Sequence, residues 1–196
     1  PAMTSATDSD GKIAFQGVSG AYSDAACRIV HPELETLPCE SFEDVFAAVS
    51  EGRARYAMIP IDNSLAGRVA DVHSLMPGSG LHVIAEHFQR INHHLLAPKG
   101  ATLEGLKTVY SHVHALGQCR AVTRMLDLKA VVAADTAGAA KEVAERGDVT
   151  QAAIASALAA EAYGLDVLKS EIEDAEHNTT RFLVLAREAI DPDVRR

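Results

Sequence analysis

Short apolar runs and longer amphipathic runs alternate along the chain. Lys12–Gln16 reads as a strand, closed by Gly17-Val18-Ser19-Gly20, and Tyr22–Val30 as a helix. Leu34–Pro38 reads as a weak strand. Ser41, three residues before Asp44, looks like the N-cap of a helix reaching Glu51. Arg55–Ile61 reads as a strand ending at Asp62-Asn63-Ser64. Leu81–Phe88 and Ile91–Ala97 are two further extended runs. A second series follows: strand Thr108–Tyr110, helix Val113–Asp127 with Leu116, Cys119, Val122 and Leu126 on one face, strand Ala130–Ala133, helix Thr136–Arg146 and strand Ala152–Ala155. A helix ending at Tyr163 and Gly164 precedes the last strand, Arg181–Ala186.

This order predicts an α/β protein of about nine strands, too many for one five-stranded sheet. The expected architecture is two lobes of mixed, mainly parallel sheet with flanking helices and a cleft between them. Lobe 1 takes residues 12–90 plus 178–190, lobe 2 takes residues 91–177, and residues 1–11 form a disordered tail. The runs near residues 81–97 and 178–186 are the two crossings.

Composition narrows the function. Lysine and arginine total 18 against 27 aspartates and glutamates, a formal charge of −9 over 196 residues. That balance argues against a nucleic-acid partner, whose phosphates need a basic face. No apolar run approaches the roughly 20 residues of a membrane-spanning helix, and the N-terminus lacks the basic and apolar regions of a signal peptide. Cys27, Cys39 and Cys119 are widely spaced and odd in number, which fits reduced thiols and a cytoplasmic location. No metal is expected: His93 and His94 are adjacent on an expected strand and would point to opposite faces, and no zinc-binding helix of the H-E-x-x-H type occurs. Dinucleotide, phosphate-loop and serine-hydrolase motifs are also missing from the sequence.

Polar clusters recur where a strand is expected to hand over to a helix: Gly17–Ser23, Asp62–Gly67, Ser111-His112 and Asp135–Ala137. Such junctions gather ligands in parallel sheets, and helix N-termini suit anions. Each is equally the ordinary place for a capping residue.

Taken in order, the clusters resemble the prephenate dehydratase family from about Lys12 to Ala186. The glycine turn matches a Gly-x-x-Gly-x-Tyr-Ser block, and Pro60–Val69 matches Pro-x-Glu-Asn-Ser-x-x-Gly-x-Val. Ser111–Cys119 matches Ser-His-Pro-Gln-Ala-x-x-Gln-Cys. Asp135–Ala140 and Ala152–Ser156 match the next two blocks, and Asn178–Phe182 matches Asn-x-Thr-Arg-Phe. Asp62 stands where the pattern has Glu, and Val113-His114 where it has Pro-Gln.

The resemblance implies a two-lobed fold like type II periplasmic binding proteins. It implies decarboxylative dehydration of prephenate to phenylpyruvate in phenylalanine biosynthesis, without a cofactor, by a homodimer or tetramer. It makes Thr180 the central catalytic residue, with Asn63, Ser111 and Gln118 also catalytic. Ser64, Arg181, Phe182, Asn178, Gly20 and Ala21 would bind substrate. Strand alternation puts Thr180 and Arg181 on opposite faces, so an ion pair for Arg181 and a core position for Phe182 stay open. Arogenate as substrate, a non-catalytic module binding a small carboxylate, and a non-aromatising prephenate decarboxylase are the alternatives. Family members commonly continue into a regulatory ACT domain that binds phenylalanine; with the sequence ending at Arg196, no phenylalanine feedback is expected.

Overall fold

The computed structural model describes residues 11–190, so the tail expected over residues 1–11 lies, apart from Gly11, outside the described residues. The elements run β1 (Lys12–Gln16), α1 (Tyr22–Val30), β2 (Glu35–Cys39), α2 (Phe42–Ser50), β3 (Tyr56–Asn63), β4 (Gly67–Arg68), α3 (Ala70–Leu75) and β5 (His82–Arg90). They continue with β6 (His94–Ala97), β7 (Thr108–Ser111), α4 (Val113–Gly117), α5 (Arg120–Met125), β8 (Lys129–Val132), α6 (Thr136–Arg146), β9 (Gln151–Ala155), α7 (Ala157–Tyr163), β10 (Asp166–Lys169) and β11 (Thr179–Ala186). The described chain forms two compact units. One holds the residues up to Gln16, Ser23–Gln89 and those from Thr179; the other holds Gly17–Tyr22 and Arg90–Asn178.

The first unit's sheet runs β2-β1-β3-β11-β5, with β4 added to β3. β1 is parallel to both β2 and β3, while β11 returns antiparallel to β3. Its core sets Val45, Phe46 and Val49 of α2 and Val72 of α3 against Ile59, Leu183 and Leu185 of the strands. Ser41 caps α2 as its sequence predicts, accepting a hydrogen bond from the Asp44 N–H at 3.1 Å. Burial of each large apolar side chain here contributes roughly 1.5–3 kcal/mol.

The second unit's sheet runs β10-β6-β9-β7-β8. Side-chain alternation gives it a helical layer on each face. Leu95, Ala152 and Ile154 pack with Leu116, Cys119 and Val122 of the α4–α5 segment. Their neighbours Leu96, Ala153 and Ala155 pack with Ala140 and Val143 of α6 and Ala159 of α7. β7 is parallel to β8 and β9, whereas β6 is antiparallel to β9 and β10. Both sheets are therefore mixed, with a larger antiparallel share than a mainly parallel sheet has.

Three expectations need correction. The short, polar elements β4, α3 and β10 carry too little periodicity to be read from sequence. β3 runs on to Asn63 and turns into β4, so Asp62–Gly67 is a strand-to-strand turn and supplies no helix N-terminus. The helix expected over Val113–Asp127 is two short helices broken at Gln118-Cys119.

A remote carboxylate fixes that break. Asp174 accepts from the backbone N–H groups of Arg120 at 2.8 Å and Ala121 at 3.0 Å, while its own N–H donates to the Gln118 carbonyl at 2.7 Å. These bonds satisfy the free donors at the start of α5, as a capping side chain does. Asp174→Ala is expected to lower unfolding free energy by about 1–2 kcal/mol in urea titrations; an unchanged midpoint would refute this role.

Candidate functional site

In the first unit, β3 and β11 bring Asn63 and Thr180 into direct register. Going back from there, Arg181 opposes Asp62, but Phe182 opposes Pro60. Ile61 is thus the extra residue of a bulge. Its carbonyl turns to other partners, accepting from the Val69 N–H at 3.0 Å and from His73 Nε2 at 3.1 Å.

Asn63 Nδ2 donates to Thr180 Oγ1 at 2.9 Å. Asn63 Oδ1 accepts from the N–H groups of Leu65 and Ala66, both at 2.9 Å, which fixes which end of the amide faces Thr180. With its oxygen accepting from Asn63, the Thr180 hydroxyl directs its own hydrogen elsewhere, and no described residue accepts it. Thr180 is nearly buried, at 9% exposure. Ser64 clamps the start of β11: its N–H donates to the Thr179 carbonyl and its Oγ accepts from the Thr179 N–H, each at 2.9 Å.

Arg181 is engaged as an ion pair. Its Nε and a terminal nitrogen reach one Glu86 carboxylate oxygen at 2.8 and 2.7 Å, and Asp62 lies 3.8 Å away. Phe182 is buried beside the His87 ring, with centroids 6.4 Å apart. Arg181 is thus ion-paired and Phe182 buried.

The second unit gathers Gln118, Asn178 and two residues missing from the expected set, Tyr22 and His93. Gln118 Oε1 accepts from His93 Nε2 at 2.7 Å and from Asn178 Nδ2 at 2.9 Å. The Tyr22 hydroxyl lies 2.5 Å from His93 Nδ1 and 3.1 Å from the Asn92 carbonyl, and the His93 N–H donates to Glu173 at 2.9 Å. Burial holds the His93 pKa below its usual value, against opposing pulls from Gln118 and Glu173, so the ring is neutral near pH 7. Burial also pushes the Tyr22 hydroxyl well above its ordinary range. Tyr22 sits in the quoted glycine-turn block and so had a sequence signal. His93 stood out only as the neighbour of His94 in the metal reading, and it immediately precedes β6 rather than lying within a strand.

Ser111 is fully buried, and its hydroxyl donates to the Ile154 carbonyl at 2.6 Å. That hydrogen bond joins β7 and β9 through the Ser111 hydroxyl. Gly20 and Ala21 form a backbone turn. Gly20 has φ +90°, and a Cβ there would lie 2.8 Å from the Ala159 Cα; its carbonyl accepts from Ser156 at 2.6 Å. Among the described residues, no group of three or more His, Cys, Asp or Glu is placed to hold a metal, and no helix is long and apolar enough to cross a membrane.

The prephenate dehydratase family model matches residues 13–190. The chain belongs to the prephenate dehydratase family. It is 51% identical, over 89% of its length, to a bifunctional N-acyl-homoserine lactone acylase/prephenate dehydratase of Komagataeibacter europaeus, covering 62% of that protein. It is 42% identical over 94% of its length to arogenate dehydratase/prephenate dehydratase 1 of Arabidopsis thaliana, covering 47% of it. The prephenate dehydratase of Arthrobacter aurescens, solved in complex with L-Phe, superposes with a TM-score of 0.84 at 30% identity, over 92% of this chain and 62% of that one. The chain thus spans about half to two thirds of the length of these relatives.

The cysteines offer no ready nucleophile to this family member. Burial raises the Cys27 and Cys119 thiols far above neutrality and raises Cys39 as well. The thiolate is the reactive form. Iodoacetamide near neutral pH should therefore modify Cys27 and Cys119 only after unfolding, as read by mass spectrometry; rapid labelling of either in the folded protein contradicts this.

Proposed function

We propose that the chain carries out the decarboxylative dehydration of prephenate to phenylpyruvate, with Thr180 as the group that meets the leaving hydroxyl. The observation that supports this most is the Asn63–Thr180 hydrogen bond, which leaves the threonine hydrogen free to donate.

In this reaction the ring carboxylate leaves as carbon dioxide. The electrons of the broken C–C bond move into the ring, which becomes aromatic, and the ring C–O bond breaks. The departing hydroxide takes a proton and leaves as water. Aromatisation makes the sequence strongly downhill, so no electron-sink cofactor is required. The remaining difficulty is negative charge on the departing oxygen. A hydroxyl already aimed by its neighbour costs no reorganisation as that charge develops. Threonine is too weak an acid to give up its proton early, so Thr180 acts by hydrogen bonding and the proton comes finally from water.

Asn63 is a positioning and binding group in this reading, and Ser64 holds the strand that carries Thr180. Gln118 and Asn178 supply polar groups for substrate oxygens, while Arg181 and Phe182 stabilise β11. Prephenate is the substrate proposed first; the Arabidopsis relative's double name makes arogenate the necessary comparison. The Komagataeibacter relative's name adds acyl transfer as a second reading. A covalent route for that chemistry needs an activated side-chain nucleophile, and the raised thiols and the engaged Ser111 hydroxyl weigh against that route.

Incubation with prephenate, arogenate and an N-acyl-homoserine lactone separates these readings. Phenylpyruvate formed from prephenate, followed by its ultraviolet absorbance in alkali, is the expected result. Acyl release without phenylpyruvate would sink the proposal. Asn63→Asp tests the hydrogen-bond direction. The carboxylate keeps the acceptor for Leu65 and Ala66 but draws the Thr180 hydrogen toward itself. A kcat at least about 100-fold lower is expected, with Tm little changed; wild-type kcat contradicts the assigned direction.

A further inference from the structure

Gln118 has its amide oxygen filled and its amide nitrogen open. The oxygen takes two hydrogen bonds, from His93 and from Asn178, which occupy both lone pairs. The nitrogen makes no hydrogen bond with any described residue. A glutamine on a short helical break could rotate its amide freely, and the two bonds remove that freedom.

The His93 ring is itself held in one form. Gln118 Oε1 can only accept, so Nε2 carries the hydrogen. In the neutral ring Nδ1 is then the acceptor, and the single Tyr22 hydroxyl hydrogen, which the Asn92 carbonyl also approaches at 3.1 Å, goes to the nearer Nδ1 at 2.5 Å. The two rings meet edge to face, with centroids 5.4 Å apart. Glu173 fixes the backbone at the same residue through the His93 N–H. The order of donation is Tyr22 to His93 to Gln118.

We infer that His93, oriented by Tyr22, is a positioning residue that fixes the Gln118 amide with both N–H donors presented to an anionic oxygen of the substrate. The inference deepens the dehydratase reading and rests on it for the identity of the ligand. His93 does not touch substrate in this account. It acts through Gln118 by deciding which end of the amide faces outward. Were the amide reversed, its carbonyl would face that oxygen and repel it.

The test is a mutant cycle on prephenate turnover. His93→Leu removes the Nε2–H, and KM should rise about tenfold to 100-fold, the range expected when a binding group is misplaced by about 1 Å, with kcat changed much less. His93→Gln can place an amide N–H near the lost Nε2–H and should recover most of the loss. In a Gln118→Ala background, His93→Leu should add little, because the group it positions is gone. Additive effects, or no recovery by His93→Gln in a folded protein, would overturn the inference. Nitrogen NMR of the histidine rings gives a readout independent of activity: wild-type His93 should be the neutral Nε2–H tautomer near neutral pH. An Nδ1–H tautomer or an imidazolium there overturns the inference even if prephenate is turned over. Absence of turnover with the predicted tautomer instead removes the dehydratase reading and leaves the Tyr22–His93–Gln118 arrangement standing.

Discussion

The hydrogen bond from Asn63 to Thr180 governs the chemistry assigned to the first unit. It requires two strands far apart in sequence to pair in one register. The bulge at Ile61 supplies that register by taking one residue of β3 out of the ladder. The displaced Ile61 carbonyl remains satisfied by Val69 and His73, so the irregularity leaves no buried acceptor without a partner. Two consequences follow from the register. Thr180 lies opposite an amide whose other end is held by the β3–β4 turn. Arg181 turns to Glu86 of β5 and Asp62 of β3, so its charge fastens β11 to both neighbours.

Both units use one device, in which an amide is fixed at one end so that the other group is aimed. Asn63 is held through its oxygen and directs a hydroxyl; Gln118 is held through its oxygen and directs its own N–H groups. Fixing polar groups before ligand arrives is how a protein makes modest donors effective. The chain's net charge of −9 makes such placed donors more important, because no general positive field draws in an anion. The one arginine in the conspicuous Asn-Thr-Thr-Arg-Phe segment is already balanced by two carboxylates.

Much of this was legible in the sequence. Periodicity located most strands and helices, Ser41 announced its helix start, and the ordered motifs gave the family. Beyond the short elements with too little periodicity, what local pattern left out depends on distant partners. Asp174 breaks the α4–α5 segment from some fifty residues away. The Ile154 carbonyl accepts the Ser111 hydroxyl hydrogen. The carboxylate of Glu86 pairs with Arg181. Likewise, nothing near His93 in sequence announces Tyr22 or Gln118 as its neighbours. Local pattern reports propensity and face, whereas the use of each polar group depends on what the fold brings to it.

In the proposed reaction the Thr180 hydroxyl donates a hydrogen bond to the departing oxygen. Thr180→Val keeps the branched shape and the β propensity but removes the hydroxyl, while Thr180→Ser keeps the hydroxyl. Single-turnover formation of phenylpyruvate from bound prephenate is the direct measurement. The valine variant is expected to be slower by about 100-fold or more, and the serine variant to stay close to wild type. A valine variant as fast as wild type would contradict that role.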